Sequence, residues 1–227
     1  MSEHYHLLHP PLNGPFPPDR VAEPTFELII RELERAQESV EIFMYVWRAD
    51  ESGMRVGEAV LAAAERGVKI RIIKDIGAIM CEVIEMNRKP FFPRKIPLLK
   101  RIVYRIIGRT FPDTFVEDKY DQQLGAVLLA HPNVTVDWVN KTHTKYYIFD
   151  ERLLVTGSIN IEDRHQNYFD YMLALEGPQL VQRLRARMRG EVAFDLKRNI
   201  EFLCNAHRPT GESSFEIKPA VLNLITQ

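Results

Sequence analysis

The chain has 227 residues, enough for one substantial α/β core, and its 45% hydrophobic and 27% charged residues exclude a fibrous or intrinsically disordered protein. The formal net charge of −1 excludes a global positive field that recruits nucleic acid, although a neutral protein can still carry a local basic groove. Cys81 and Cys204 form neither a disulfide framework nor a zinc motif, so we expect a reducing, cytoplasmic location.

The N-terminal residues 1–20 are rich in Pro and His and lack the basic and then apolar pattern of a secretory signal. We interpret them as a tail. His4, His6 and His9 also allow a metal site, but a solvated tail is the interpretation that we favour. No apolar run is long enough to span a bilayer.

The next part of the chain alternates between helical and extended patterns. Apolar residues recur at helical spacing over 25–39, and a continuous apolar and aromatic run over 40–47 predicts a strand that is covered on both faces. A turn at 50–53 leads into a second helix that ends at Arg66-Gly67, and 68–75 predicts a second strand. This order predicts a βαβ unit with a parallel strand pair.

The segment 87–112 is basic and contains no acidic residue. Its basic residues are Arg88, Lys89, Arg94, Lys95, Lys100, Arg101, Arg105 and Arg109. Aliphatic residues alternate with them at helical spacing between positions 96 and 109, which predicts a cationic amphipathic helix. Three interpretations stay open: a helix docked on the core, a helix in the interface of an anionic bilayer, or the wall of a nucleic-acid groove. Lys95, Lys100, Arg101 and Arg105 are the candidate substrate- or membrane-binding residues.

The second half of the chain predicts a helix over 120–131 and a strand over 134–139. Two strands flank the turn at 150–152, a further strand covers 168–175, and a long basic helix runs from 178 to about 204. We therefore expect one α/β domain over 21–206. Residues 215–227 resemble 26–37, since both begin with Phe-Glu, so 207–227 is interpreted as a linker and the start of a second repeat.

One pattern stands out from this background. Residues 143–160 read HTKYYIFDERLLVTGSIN, in which six identities fit the spacing H-x-K-x4-D-x6-G-S-x-N. The six are His143, Lys145, Asp150, Gly157, Ser158 and Asn160. Each residue type has an ordinary explanation when taken singly, such as an exposed strand pair, a turn former or a helix cap. The combination at fixed spacing points instead to a catalytic site.

The chemistry of these side chains supports that interpretation. Residues two apart on a strand share a face, so His143 and Lys145 point the same way, as do Ser158 and Asn160 in an extended chain. A neutral imidazole attacks phosphorus to give a covalent intermediate, while a lysine ammonium attracts the non-bridging oxygens. Ser158 and Asn160 add neutral donors where negative charge builds. Asp150 belongs to the candidate catalytic set, but its offset from Lys145 places it on the opposite strand face, where it braces the fold.

The motif resembles that of the phospholipase D superfamily. This resemblance implies an α/β phospholipase D fold, with a central, mostly parallel, mixed β-sheet flanked by helices on both faces. It implies metal-independent chemistry without a cofactor, and it places Asp170 where family members carry the acidic residue that orients the catalytic histidine. Glu162, Asp163 and His165 follow the motif. They lie either at the rim of the site or, as we favour, on the first turn of a helix, where acidic residues suit the helix dipole.

Two stretches resemble the N-terminal half of bacterial cardiolipin synthase-like proteins: VEIFMYVWRADESGMRVGEAVLAAAERGVKIRIIKD and YFDYMLALEGPQLVQRL. The resemblance implies a phosphodiesterase or phosphatidyltransferase that acts on phospholipid at a membrane surface, peripheral on the inner face, through a phosphohistidine. The reaction needs two histidines, so a homodimer or a missing second motif-bearing half is expected. The alternatives are a homodimeric single-motif endonuclease, for which nucleic acid is the less favoured partner, and an inactive fragment or binding module.

Overall fold

The computed structural model describes residues 4–8, 22–84, 91–108, 123–139, 143–167, 170 and 172–188. The strands in these ranges are β1 His4–Leu8, β2 Ser39–Met44, β3 Lys69–Asp75, β4 Val134–Val139, β5 Tyr146–Phe149, β6 Leu153–Gly157 and β7 Met172–Glu176. The helices are α1 Glu23–Arg35, α2 Glu51–Glu65, α3 Ala78–Ile84, α4 Leu98–Gly108, α5 Gln123–Ala130 and α6 Pro178–Met188, with a 3₁₀ helix at Asp163–Asn167. The strands form one sheet in the order β1-β7-β6-β5-β2-β3-β4.

The predicted βαβ unit is confirmed. β2 and β3 pair in parallel, with Val40 opposite Ile70, and α2 connects them. α2 is capped by Asp50, whose side chain accepts a hydrogen bond from the backbone N–H of Gly53. After the helix, Gly67 has a φ of 99°, in the left-handed region that glycine adopts without a steric penalty. Local signals in the sequence therefore determine both ends of this helix.

The sheet is mixed, as expected, but its parallel part is smaller than the sequence suggested. β2, β3 and β4 pair in parallel, whereas the pairs β2–β5, β5–β6, β6–β7 and β7–β1 are antiparallel. The expectation of mostly parallel pairing is corrected accordingly. For β5 and β6 the reason is the three-residue connection 150–152, which is too short to join parallel neighbours.

Helices cover both faces of the sheet, as expected. One face of β2 carries Ile42 and Met44, which pack in a large apolar cluster with residues of α1 and α2. The other face carries Phe43, which packs in a smaller cluster with Val181 of α6. The two clusters have this arrangement because successive side chains of a strand point to opposite faces. The long apolar run in β2 therefore reads correctly as a strand buried on both sides.

Two predictions about the ends of the chain have different outcomes. Residues 1–20 were expected to be a tail, yet His4–Leu8 form the edge strand β1, which pairs antiparallel with β7. The alternation in this short segment is too weak to predict a strand, and only the free edge of β7 gives it a partner. The C-terminal part of the long basic helix, the linker and the second repeat fall on 189–227, which lie outside the described residues. Among the described helices, none has the length and apolarity that crossing a bilayer requires.

Candidate active site

The motif residues come together at one edge of the sheet. In the β5–β6 hairpin Tyr146 lies opposite Thr156, so the residues just before β5 and just after β6 are neighbours. The hydroxyl of Thr156 donates a hydrogen bond to the backbone carbonyl of Lys145, 2.9 Å away, and ties the two segments together. The same edge holds the carboxyl ends of the parallel strands β2 and β3. Open α/β sheets bind their ligands at the carboxyl ends of such strands.

His143 and Lys145 lie side by side, as the sequence predicted. The Lys145 ammonium is 3.3 Å from Nδ1 of His143 and 3.0 Å from the backbone carbonyl oxygen of His143. Lys145 is only 3% exposed, whereas the His143 side chain is open to solvent. Burial lowers the pKa of Lys145, although the charges of Asp170 and Glu162 oppose that shift. A buried ammonium next to an exposed imidazole is an arrangement that attracts an anionic group to the histidine.

Tyr45, just beyond the end of β2, completes the immediate surroundings of the pair. Its ring centroid is 4.4 Å from that of His143 and 5.2 Å from the Lys145 ammonium, within range of a cation–π contact. Asp75, the last residue of β3, contributes negative charge on the other side. Burial and the Lys145 charge lower the pKa of His143, while the charge of Asp75 opposes them. The His143 imidazole therefore stays neutral to lower pH than an ordinary histidine.

A second group of polar side chains lies directly behind Ser158 and Asn160. Ser158 donates a hydrogen bond to Asp170, and Asn160 donates to Oε1 of Glu162 over 3.1 Å. The Nδ1 atom of His165 is 2.9 Å from Oδ2 of Asp170, and its Nε2 atom is 3.0 Å from the Asn160 amide nitrogen. The imidazole that contacts Asp170 among the described residues is thus that of His165. That Asp170 orients His143 stays a prediction.

Glu162 was expected on the first turn of a helix, but it is buried against Arg48. Burial by itself raises the pKa of Glu162, while the hydrogen bond from His165 and the charge of Arg48 outweigh burial and lower that pKa to about 2. Asp163 does serve a helix N-terminus, but that of α2: its carboxylate accepts from the backbone N–H groups of Glu51 and Ser52 at 3.0 and 2.7 Å. Glu162 differs from the expectation because the residues after the motif form only a 3₁₀ helix, Asp163–Asn167, which begins after Glu162.

Asp150 lies at the far end of β5 from His143. Its carboxylate accepts hydrogen bonds from the backbone N–H groups of Gln37, Glu38 and Ser39, at 3.1, 2.9 and 3.0 Å. Burial alone raises the pKa of Asp150, but these donors outweigh it and hold that pKa below its ordinary value. The position fits the bracing role and corrects its inclusion with the residues that contact the substrate.

The amphipathic helix α4 presents its apolar side chains to solvent. The large exposed residues on it are Leu98, Leu99, Ile102, Val103 and Ile106, with exposed fractions from 44% to 74%. This corrects the interpretation of a helix docked on the core through its aliphatic stripe. Lys95 and Lys100 are also exposed, while the side chains of Arg101 and Arg105 lie outside the described part. α4 contacts α3, and Cys81 of α3 reaches the Tyr45 hydroxyl of the site at 3.8 Å.

Sequence reasoning identified the motif residues but missed Tyr45, Asp75, Arg48 and the role of His165. Tyr45 and Asp75 end parallel strands, and that position alone is a signal for a ligand site. Arg48 follows an apolar run, and a charged residue in such a place needs a partner when it is buried. No sequence signal assigns that partner, since Glu162 is more than a hundred residues away.

Comparison with known proteins identifies the family of this chain. The family model described as "Cardiolipin synthase, PLD-like domain" matches residues 29–191, more than half of the chain. Cardiolipin synthase A of Edwardsiella ictaluri is 25% identical over 162 residues, which make up 68% of this chain and 28% of that protein. Cardiolipin synthase A of Serratia proteamaculans is 25% identical over 197 residues, or 87% of this chain and 34% of that protein. The chain thus spans about a third of these relatives, or less.

A solved structure gives a similar picture of the fold. NucT from Helicobacter pylori superimposes with a TM-score of 0.52 and 15% sequence identity, over 83% of this chain and 95% of that chain. At such low identity the likeness concerns the fold alone. It supports the fold class that the sequence predicted.

Proposed function

Because the chain belongs to the family of cardiolipin synthase PLD-like domains, we propose that it cleaves or transfers phosphodiester groups of phospholipids through a covalent phosphohistidine at His143. The observation that carries the proposal is the placement of the buried Lys145 ammonium beside the exposed His143 ring, 3.3 Å apart, at the carboxyl edge of the sheet. Ser158 and Asn160 follow β6 at the same edge. This arrangement places the proposed nucleophile, His143, beside the Lys145 ammonium, which can bind an anion.

The proposed reaction has two steps. In the first, the lone pair of a His143 ring nitrogen attacks phosphorus, an N–P bond forms, and the P–O bond to the leaving alcohol breaks. The leaving oxygen takes a proton from a general acid. In the second, water or an acceptor alcohol attacks phosphorus, its proton passes back to that group, and the N–P bond breaks. Water gives hydrolysis and an alcohol gives transfer.

Lys145 stabilises the charge that builds during each step, and Asn160 holds the neighbouring segment in place. Lys145 supplies a compact positive charge for the non-bridging oxygens of the phosphoryl group, and its burial strengthens that attraction. The Asn160 amide is held on its oxygen side by the backbone N–H of Val46, at 3.3 Å, and is thereby fixed before the substrate arrives. Because these groups are protein side chains, the proposed step requires no metal ion.

The general acid has to be a different group, since His143 is occupied by phosphorus, and a second histidine is the group that we propose. We propose that it comes from a second copy of this motif, either in a homodimer or in a further half of a longer protein. His143 is exposed to solvent at the end of the sheet that carries the site. A second copy of the motif can therefore approach it. Cross-linking through a cysteine placed beside His143, with solution mass as the readout, tests this part.

The exposed apolar face of α4 favours lipid over nucleic acid as the substrate. Its five aliphatic side chains fit the acyl boundary of a bilayer, while Lys95 and Lys100 fit anionic head groups. The aromatic residues Phe91 and Phe92, candidates for stacking on bases, are each only 1% exposed and pack on the core instead. We therefore propose a location peripheral to the inner face of the membrane.

The main test is turnover of phosphatidylglycerol in vesicles, followed by mass spectrometry of the lipid products. The wild-type chain should release or exchange the head group, and His143→Ala should abolish turnover. A phosphorylated His143 peptide trapped after rapid denaturation would support the covalent step. Cleavage of single-stranded DNA without lipid turnover would favour the nuclease alternative, and inertness toward both by a folded sample would favour a fragment or binding module.

A separate measurement tests the lipid surface. Full burial of one large aliphatic side chain contributes about 1.5–3 kcal/mol, so Ile102→Glu should lower vesicle binding by about tenfold or more. Val127→Glu is the matched control, since Val127 is similarly exposed, at 46%, but lies on α5. Binding that is equal for both variants, or that ignores the fraction of anionic lipid, would remove α4 from the proposal.

A further inference from the structure

The ring of His165 is buried among the side chains of Asp170, Asn160 and Glu162, and its Nε2 atom lies 3.1 Å from Oε1 of Glu162. Its Nδ1 atom is 2.9 Å from Oδ2 of Asp170, and its Nε2 atom is 3.0 Å from the amide nitrogen of Asn160. Only 7% of the residue is exposed. A side chain in this place cannot touch a substrate, but it links a motif residue to the carboxylate on the next segment.

Asp170 carries this link to the remaining motif residues. Ser158 donates its hydroxyl proton to Oδ1 of Asp170, on the side away from His165. Through these neighbours, His165 is therefore connected to Ser158 and Asn160. Lys145 lies beside this segment, because the Thr156 hydroxyl at the end of β6 donates to the Lys145 carbonyl at 2.9 Å.

The backbone around His165 is fixed independently of these side chains. The N–H of Ile161 donates to the carbonyl of Val46 at 3.2 Å, and the N–H of Arg48 donates to the carbonyl of Ile161 at 3.0 Å. Glu162 pairs with Arg48, and the backbone N–H of His165 donates to the Glu162 carbonyl at 3.3 Å. The ring is thus attached to a rigid frame, so it can hold Asn160 and Asp170 at a set separation.

We propose that His165 is a positioning residue, which acts through Asp170 and Asn160 to hold the segment of Ser158 and Asn160 against the Lys145 end of β5, and so keeps the anion-binding Lys145 in place. The inference rests on the proposed function of that site. A displacement of about 1 Å in such a constellation lowers a rate by about a hundredfold, so the loss of this link should lower kcat by roughly 10- to 100-fold.

Three substitutions separate positioning from packing. His165→Asn keeps an amide donor near the place of Nδ1 and retains the contact with Asp170. His165→Gln reaches toward Asn160 and loses the contact with Asp170. His165→Leu fills the volume and loses both contacts. A positioning role predicts that phosphate affinity and kcat are highest in the Asn variant, lower in the Gln variant and lowest in the Leu variant. KM should change less than kcat. A packing role predicts the reverse, with Leu retaining the most.

The first readout is binding of inorganic phosphate measured by calorimetry, which does not depend on turnover. The control is His131→Asn, because His131 lies beyond α5 and its Nδ1 merely accepts from the backbone N–H of Asn133 at 3.2 Å. We expect at least tenfold weaker phosphate binding in the Gln and Leu variants than in the control, measured well below the melting temperature of each variant. If Leu does not fold, the Asn and Gln pair still decides the order.

The outcomes distinguish this inference from the proposed reaction. Phosphate binding in the expected order without lipid turnover would support His165 and refute the proposed substrate. Equal phosphate affinity in all variants would refute the positioning role, whatever the turnover. Absence of phosphate binding by the wild-type chain would refute both.

Discussion

The motif carboxylate Asp150 offers a sharp test of the structure, because its contacts are structural while its place in the motif suggests catalysis. We consider Asp150→Asn. Asp150 has a φ of 47°, in the left-handed region that Asp and Asn both tolerate, so the substitution changes the charge without adding backbone strain. It also keeps one oxygen that can accept from the α1–β2 connection.

The expected loss follows from the three backbone N–H groups that donate to the carboxylate. A hydrogen bond to a charged group contributes about 1.5–3 kcal/mol, against about 0.5–1.5 kcal/mol for a neutral one. Since Asp150 is only half-buried and the amide keeps part of the interaction, we expect a loss of about 1–2 kcal/mol in the free energy of unfolding. For a chain of this size that corresponds to a fall in Tm of roughly 2–8 °C.

The assay is thermal denaturation at several pH values beside kcat at a temperature well below Tm. Because the folded-state pKa of Asp150 is depressed below 3.8, its contribution is complete above pH 3.8 and disappears as pH falls through the folded-state pKa. The difference in Tm between the two proteins should therefore be full at pH 7 and shrink below about pH 4. The control is Glu151→Gln, which alters an exposed carboxylate in the same turn and should change Tm little.

We expect kcat of Asp150→Asn to stay within threefold of the wild-type value. A hundredfold fall in kcat at unchanged Tm would refute the structural role and return Asp150 to the reacting groups. A Tm loss that persists unchanged below pH 3 would contradict the electrostatic explanation.

The remaining predictions concern charge. The acid limb of kcat/KM should lie below pH 6.5, because burial and the Lys145 charge lower the pKa of His143 from its ordinary value of 6.5. An acid limb above pH 6.5 would contradict a lowered pKa of His143. Arg48→Met, which leaves Glu162 buried without its cation, should lower the free energy of unfolding by about 3–5 kcal/mol in urea denaturation, and a loss below about 1 kcal/mol would argue against a buried pair. EDTA should leave lipid turnover within twofold, and a loss that added Mg²⁺ or Ca²⁺ restores would contradict a metal-free step.

Much of this protein follows from local sequence signals. The phospholipase D fold and the family were predicted from the motif in residues 143–160. The family model and the relatives confirm the family, and the similar solved structure confirms the fold. The βαβ unit was predictable because Asp50 and Gly67 cap their helix through bonds within a few residues. The adjacency of His143 and Lys145 was predicted from the two-residue period of a strand, but both residues precede β5 and His143 has a φ of 47°, so their contact depends on a left-handed turn of the chain.

The tertiary structure decided everything that depends on distant partners. The edge strand β1 exists only because β7 offers a free edge, and Arg48 is acceptable in the interior only because Glu162 meets it. The sequence showed that α4 is amphipathic, but not which way its apolar face points. The spacing of Asp170 suggested a partner for His143, whereas the fold brings His165 against it. Periodicity within one element specifies which side chains share a face, while contacts between elements depend on how the whole sheet brings its ends together.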